Sequence, residues 1–285
     1  MRLSLLFFFC AFLSQPLFAT TLPYGMSFVG LTEDGWQAFI VRESGQAEVV
    51  DNVDNPRQFT WSPAMDKAVY LTPDGTVIVH ENEIATVLVR RTHPDAFTQF
   101  RLTNKGQKLL AVRLFNRQSE KTAISVWDTQ ASRFIDVHQQ IGQVFDPYET
   151  EKQLYYSAVS CVIGCGLILQ EAWLKNMVTQ QVQQLTLHNG TLRYPTPDIP
   201  RQRLVYSLNT SSQYHLWQVD DLGRHRQLTH SLSSDIWPSV TAGGDIYFIR
   251  RGASGGILMV MNTAGDAVPI VLPHVQDIRD LEINQ

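Results

Sequence analysis

An all-β chain built from a repeated four-stranded unit is what the sequence predicts, and three observations carry the prediction. From Met26 onward, short runs rich in Val, Ile, Tyr, Phe and Trp are separated by Gly, Asn, Asp and Pro, the pattern of strands joined by tight turns. The runs recur: aligning Trp61, Leu102, Phe145, Tyr194 and Trp237 gives spacings of 41, 43, 49 and 43 residues. A period in the forties with four strands per unit is that of a propeller blade. Finally, residues 26–50 supply three strands and residues 276–284 supply one lone strand, IRDLEIN. Together they make one complete unit, which would close a ring and remove its exposed edges. The expectation is a six-bladed β-propeller with the C-terminal strand completing the first blade. A pair of β-sandwiches is the competing architecture.

The chain opens on Met1-Arg2, followed by an unbroken apolar or small run from Leu3 to Leu13, a break at Ser14-Gln15-Pro16, and a small residue at Ala19. This is the order of a secretory signal peptide, and the run is too short to span a bilayer. The domain reading is therefore residues 1–19 as signal peptide and 20–285 as one propeller domain. About 265 residues remain beyond Ala19, enough for six blades of the observed period.

Within the repeat each element has a local cause. Gln58–Ser62 reads as a strand ended by Pro63, Lys67–Thr72 as the next, and Pro73-Asp74-Gly75 as the turn into Thr76–Glu81, with Ala85–Val89 outermost. The unit restarts near Gln99, Gln143, Leu192 and Ile236. No amphipathic helix stands out. Glu171–Gln184 fits strand–turn–strand better, given Asn176 and its β-branched residues. Trp61, Trp127, Trp173, Trp217 and Trp237 fall on strands, where large rings would fill the wedges between blades.

The stretch from Leu216 to Thr229, LWQVDDLGRHRQLT, resembles the outer half of a TolB-type propeller repeat. That half ends in Leu-Thr after a strand and an Asp–Gly turn. Trp61-Ser62-Pro63 resembles the start of the same repeat, and Gln184-Leu185-Thr186 and Ile236-Trp237-Pro238 echo it. After Pro63 the chain has Ala-Met-Asp-Lys where the repeat continues Asp-Gly. The resemblance spans residues 26–284 and covers the propeller part of that family only. It implies an exported, non-enzymatic docking propeller and carries over no partner contacts.

Charge excludes some functions. Net charge is −4, with 23 Lys and Arg against 27 Asp and Glu, so no basic footprint for nucleic acid exists. Beyond the leader, Cys161 and Cys165 remain, and an oxidising compartment would join them as a disulfide. So small a loop gains only about 2 kcal/mol in the chain-entropy model. A redox pair and a metal site are the lesser readings.

Catalytic motifs are weak. Gly252-Ala-Ser254-Gly-Gly256 matches G-x-S-x-G, but a nucleophile elbow needs strand, turn and helix, and here the string joins two strands. Zinc-protease, P-loop and EF-hand strings are absent; Asp51-Asn-Val-Asp54-Asn reads as a polar loop. His93, His138, His188, His230 and His274 follow successive outer strands. Strand spacing puts such positions too far apart to share a metal. No cofactor and no metal are expected.

The remaining expectation concerns one mouth of the channel, where inter-blade segments lead into the inner strands. Arg57, Asp95, Gln143, Arg193, Asp235 and Asp277 lie there, with Val162 and Ile163 on the cysteine loop of the same face. This set is the candidate partner-binding face. The sequence is thus read as a monomeric, exported scaffold in the periplasm or secreted, binding an envelope protein or peptide. The alternatives are a propeller enzyme (lyase, lactonase or glycosidase) acting through carboxylates in the channel, with Asp146 and Glu282 the main ones on inner strands, or a carbohydrate-binding lectin.

Overall fold

The turn chemistry sets the meander. In the computed structural model, which describes residues 21–82, 84–118, 120–159 and 169–284, strands follow one another antiparallel through short turns. β1 (Met26–Thr32), β2 (Gly35–Val41) and β3 (Ala47–Asp54) come first. β4 (Gln58–Ser62), β5 (Lys67–Leu71), β6 (Val77–Glu81) and β7 (Ile84–Val89) form the next sheet. β8 (Ala96–Thr103), β9 (Lys108–Leu114), β10 (Lys121–Asp128) and β11 (Arg133–Ile141) form another.

Two further meanders follow. One is β12 (Val144–Glu149), β13 (Gln153–Val159), β14 (Gln170–Asn176) and β15 (Val182–Gln184). The other is β16 (Thr191–Asp198), β17 (Arg203–Asn209), β18 (Tyr214–Asp220) and β19 (His225–Gln227). A single parallel pair, Gln170 beside Thr191, joins them into one eight-stranded sheet. β20 (Ser234–Val240), β21 (Ile246–Gly252), β22 (Gly255–Met261) and β23 (Ala267–Ile270) form the last meander.

β24 (Asp277–Ile283) starts no new sheet. It pairs antiparallel with β1, Met26 opposite Ile283 and Leu31 opposite Asp277. The first sheet therefore has the order β24-β1-β2-β3. β4, β8, β12, β16, β20 and β24 touch in succession, and β24 returns to β4. The fold is an all-β propeller closed by its last strand.

Apolar side chains sit between neighbouring sheets. Phe59 and Trp61 pack with Val29 and Ile40; Phe97 and Leu102 pack with Val69 and Leu71; Leu192 and Tyr206 pack with Ala172. Ile278, Leu281 and Ile283 of β24 join Met26 and Phe28 to Ile249 and Leu258, so the seam between last and first sheets is as apolar as the others. Trp127, Trp173, Trp217 and Trp237 lie against these inter-sheet clusters, as expected for packing rings.

One expectation needs adjustment. His138 lies within β11 rather than after it, its ring 4.7 Å from that of Tyr156. The Gly252–Gly256 string is a hairpin, with Gly252 opposite Gly255. The leader, residues 1–19, and the Cys161–Cys165 loop with Val162 and Ile163 lie outside the described residues. No helix among the described residues is long and apolar enough to cross a membrane.

Ring closure is measurable. Leu281 is 1% exposed, and Leu281→Ala should cost about 2–5 kcal/mol of unfolding free energy. Ile257→Ala, at a site 49% exposed, should cost well under that, about 1 kcal/mol or less. Urea titration followed by fluorescence checks both.

Candidate functional site

The channel is built from an irregularity that recurs along its walls. In β8, Thr98 and Arg101 are three residues apart while their partners Val112 and Leu110 are two apart. The same single extra residue occurs in β12, β16, β20 and β24. At each bulge one non-glycine residue has positive φ: Gln99, Asp146, Tyr194, Trp237 and Asp280. Such conformations cost on the order of 1–3 kcal/mol each and persist only where the surroundings over-determine them. β4 pairs without a bulge.

The surroundings are the neighbouring inner strands. Gln58 Oε1 accepts the Gln99 N–H at 2.6 Å, and Gln99 Oε1 accepts the Asp146 N–H at 2.8 Å. Asp146 Oδ2 accepts the Tyr194 N–H at 3.0 Å. Tyr194 and Trp237 stack at 4.8 Å, and Asp280 Oδ2 accepts the Phe59 N–H at 2.6 Å. Side chains thus bind the freed N–H at Gln99, Asp146 and Tyr194 to a neighbouring strand, and the Tyr194–Trp237 stack and the Asp280–Phe59 bond continue the girdle around the axis. It also revises the alignment of the repeats. Tyr194 and Trp237 are bulge residues, Phe145 stands one residue before its bulge, and Trp61 and Leu102 stand three residues past Gln58 and Gln99.

Two ionic groups face the axis. Arg193 grips Asp146 at 2.7 and 3.0 Å, with its guanidinium 4.8 Å from both the Phe145 and Tyr194 rings. Burial opposes the Arg193 charge, but the Asp146 carboxylate more than compensates and holds its pKa above the ordinary value. Across the channel, Glu282 accepts Thr60 Oγ1–H at 2.8 Å and meets Arg101 Nε at 3.3 Å. Asp280 is pushed up to about 7, first by burial and then by the Glu282 charge, against the pull of the Phe59 N–H, Arg101 and Arg279.

Little space remains between them. The axial cavity has about 90 Å³, walled by Gln99, Arg101, Asp146, Arg193, Asp280 and Glu282 among others, room for about three waters. Where the inner strands end, a wider mouth of about 310 Å³ is lined by residues including Tyr24, Pro63, Arg101, Lys105, Tyr148 and Glu149. A groove of about 720 Å³ lies off the axis, between Tyr155 and Leu174 on one side and Leu204 and Val219 on the other. No group of three His, Cys, Asp or Glu able to hold a metal occurs among the described residues.

The expected face residues divide into two kinds. Arg193 lines the axial cavity. Asp95 and Asp235 instead fasten their own sheets, and Asp277 on β24 ties the first sheet to Arg251 of the last. Asp95 pairs with Arg113 at 2.6 Å, Asp235 with Arg250 at 2.7 Å, and Asp277 with Arg251 at 3.3 Å. Asp95 also accepts the Asn116 N–H. Burial opposes its charge, yet that N–H and Arg113 hold its carboxyl below the usual carboxylate range. Gln143 is half-buried, with its carbonyl taken by the Val159 N–H. Arg57 is exposed, and its backbone N–H bonds Leu71 O.

Asp280 is the polar residue the sequence reading passed over. Its only marker was its position 43 residues after Trp237, within the period of the repeat.

No family model and no curated protein matches the chain. Solved structures do. TolB from Acinetobacter baumannii matches with TM-score 0.71 and 14% identity over 92% of this chain and 68% of that one. A putative TolB from Agrobacterium tumefaciens matches with TM-score 0.66 and 11% identity, over 86% and 87%. An oligogalacturonate lyase in complex with manganese matches with TM-score 0.61 and 14% identity, over 87% and 74%. These likenesses show the fold: a β-propeller of the TolB type.

The raised Asp280 carboxyl gives a signed pH effect. The folded protein keeps this proton up to about pH 7, whereas an unfolded Asp loses it near pH 4. The contribution to stability is full below about pH 4 and is lost as pH rises to about 7, by on the order of 3–4 kcal/mol. Asp280→Asn keeps an acceptor for Phe59 and removes the titration. Its stability relative to wild type should therefore rise between pH 4 and 7, read by urea unfolding across that range.

Proposed function

We propose that the chain is a six-bladed propeller, exported to the periplasm or secreted, that works as a non-enzymatic scaffold for a protein or peptide. The blade count follows from dividing the eight-stranded sheet at its single parallel pair. The inner strands that touch in a closed circuit support the same count. Export rests on the leader-like first 19 residues, and the disulfide rests on Cys161 and Cys165 in that compartment. Likeness to TolB supports the envelope setting by analogy of fold alone.

The observation that carries the binding role is the occupied channel. Its polar side chains are spent on neighbouring strands, and the axial space of about 90 Å³ is well below the roughly 300 Å³ where small-molecule sites begin. Recognition then falls to a mouth, where loops on a rigid ring present side chains. In this reading the mouth leading into the inner strands carries Arg57, Asp95, Gln143, Asp235 and Asp277, with Arg193 deeper on the axial cavity, and Val162 and Ile163 of the cysteine loop, outside the described residues, are proposed for the same face. Asp95, Asp235 and Asp277, each held by an arginine, shape this rim, while Arg57 supplies contacts.

One observation favours a second reading. Asp280 titrates near neutrality beside Glu282, as a general acid would, and the lyase neighbour shows that the fold hosts an enzyme. In that reading the channel widens to admit substrate.

Capture from envelope extract, with mass spectrometry of what is retained, separates the two. The scaffold reading expects a saturable partner lost in Arg57→Glu and kept in Lys152→Glu, an exposed site on the β12–β13 turn at the other end of the inner strands. Equal retention by both variants rejects this mouth. A turnover assay on oligosaccharides and lactones that loses activity in Asp280→Asn would favour the enzyme.

A further inference from the structure

Two arginines at the described mouth, Arg57 and Arg279, have no ion-pair partner among the described residues. Arg279 lies on β24 where the chain enters the inner strand. Its guanidinium stacks 4.0 Å over the Trp36 ring and donates to Pro56 O at 2.9 Å. Its Nε–H is buried with no acceptor. Pro56 is next to Arg57, so the two guanidinium-bearing residues meet at one point of the rim. Arg57 is exposed, and its side chain has no hydrogen-bond or ion-pair partner among the described residues.

Two of the nearby acids are already committed. Asp277 receives Arg251 through both oxygens, at 3.3 and 3.4 Å, and also accepts the Gly256 and Ile278 N–H groups at 2.7 Å each. Asp280 turns toward the axis to accept the Phe59 N–H. Burial, followed by the charges of Arg251 and Arg57, pulls the Arg279 pKa below its ordinary value, against Asp280 and Asp277. Neither guanidinium makes a direct ion pair among the described residues, although Asp280 and Asp277 lie near Arg279.

We infer that Arg57 and Arg279 form a carboxylate-binding site at this mouth, which takes an acidic side chain or the C-terminal carboxylate of a peptide partner. A planar fork already held flat against an aromatic ring is pre-organised for the two oxygens of a carboxylate. Trp36 provides an apolar wall for the adjoining aliphatic carbons. Glu33 and Asp34, exposed on the β1–β2 turn next to Trp36, oppose densely charged polyanions and favour a single carboxylate.

The inference rests on the scaffold reading, and its test is separable from that one. Fluorescently labelled alanine pentapeptides are titrated against the purified full chain by anisotropy. One has a free C-terminus, one is amidated with a central Glu, and one is amidated and neutral. Either carboxylate peptide should bind about tenfold more tightly than the neutral one. Arg57→Ala, at an exposed site, should remove that margin with an unchanged melting curve. Arg279→Lys, which keeps the charge and loses the fork, should reduce it. Equal binding of all three peptides, no binding by any, or displacement by inorganic phosphate at the peptide's own concentration would overturn the carboxylate site. Envelope capture through Arg57 that persists alongside such a failure would leave the scaffold reading standing and remove only this one.

Discussion

Closure governs this structure. A row of twisted sheets packed face to face leaves two apolar faces and two strand edges open unless its ends meet. Pairing of β24 with β1 makes them meet. The same strand contributes Ile278, Leu281 and Ile283 to the cluster between the last and first sheets. It also contributes Asp280 and Glu282 to the channel wall. Hydrogen bonding, apolar burial and the channel's electrostatics therefore converge on seven residues.

The bulges follow from the same constraint. Around a narrow axis the inner strands cannot all keep a regular ladder with the strand outside them. An extra residue turns one peptide group out of the sheet, and a buried backbone group so released must find another partner. Gln58, Gln99 and Asp146 supply it across the gap, and Asp280 makes the matching bond to Phe59 on the unbulged β4. Where the side chains are aromatic, at Tyr194 and Trp237, stacking takes over, with Thr196 Oγ1–H to Pro238 O at 2.8 Å between the same two strands. The polar lining of the channel is thus structural before it is chemical. Similarity of fold to both TolB and a lyase fits that view.

Much of the fold was legible because turn chemistry is local. Pro63, Asp74-Gly75 and Gly223 mark reversals, and the strands between them lie where alternation placed them. The bulges were not legible, because residues as different as Gln, Asp, Tyr and Trp occupy the same strained position. A bulge also reverses the inside–outside alternation past it, which is why IRDLEIN concealed Asp280. The acids of the expected face were visible as acids, but their partners were not. Asp235 and Arg250 are 15 residues apart, and Asp95 and Arg113 are 18 apart, so only strand register brings them together. Arg57 is exposed, and its side chain pairs with nothing among the described residues.

The geometry of the closing pair has a mechanical consequence. β1 begins where β24 ends, and Asn284 N–H bonds Gly25 O at 3.0 Å beside Met26 and Ile283. Tension applied through both ends of the propeller would reach the ladder at one end and break its hydrogen bonds one after another, as a zipper opens, instead of loading them together in shear. Buried faces hold the ring together against unfolding as a whole, yet a pull across its two ends meets only one hydrogen-bonded pair at a time. A tether on one side only leaves the clasp unloaded.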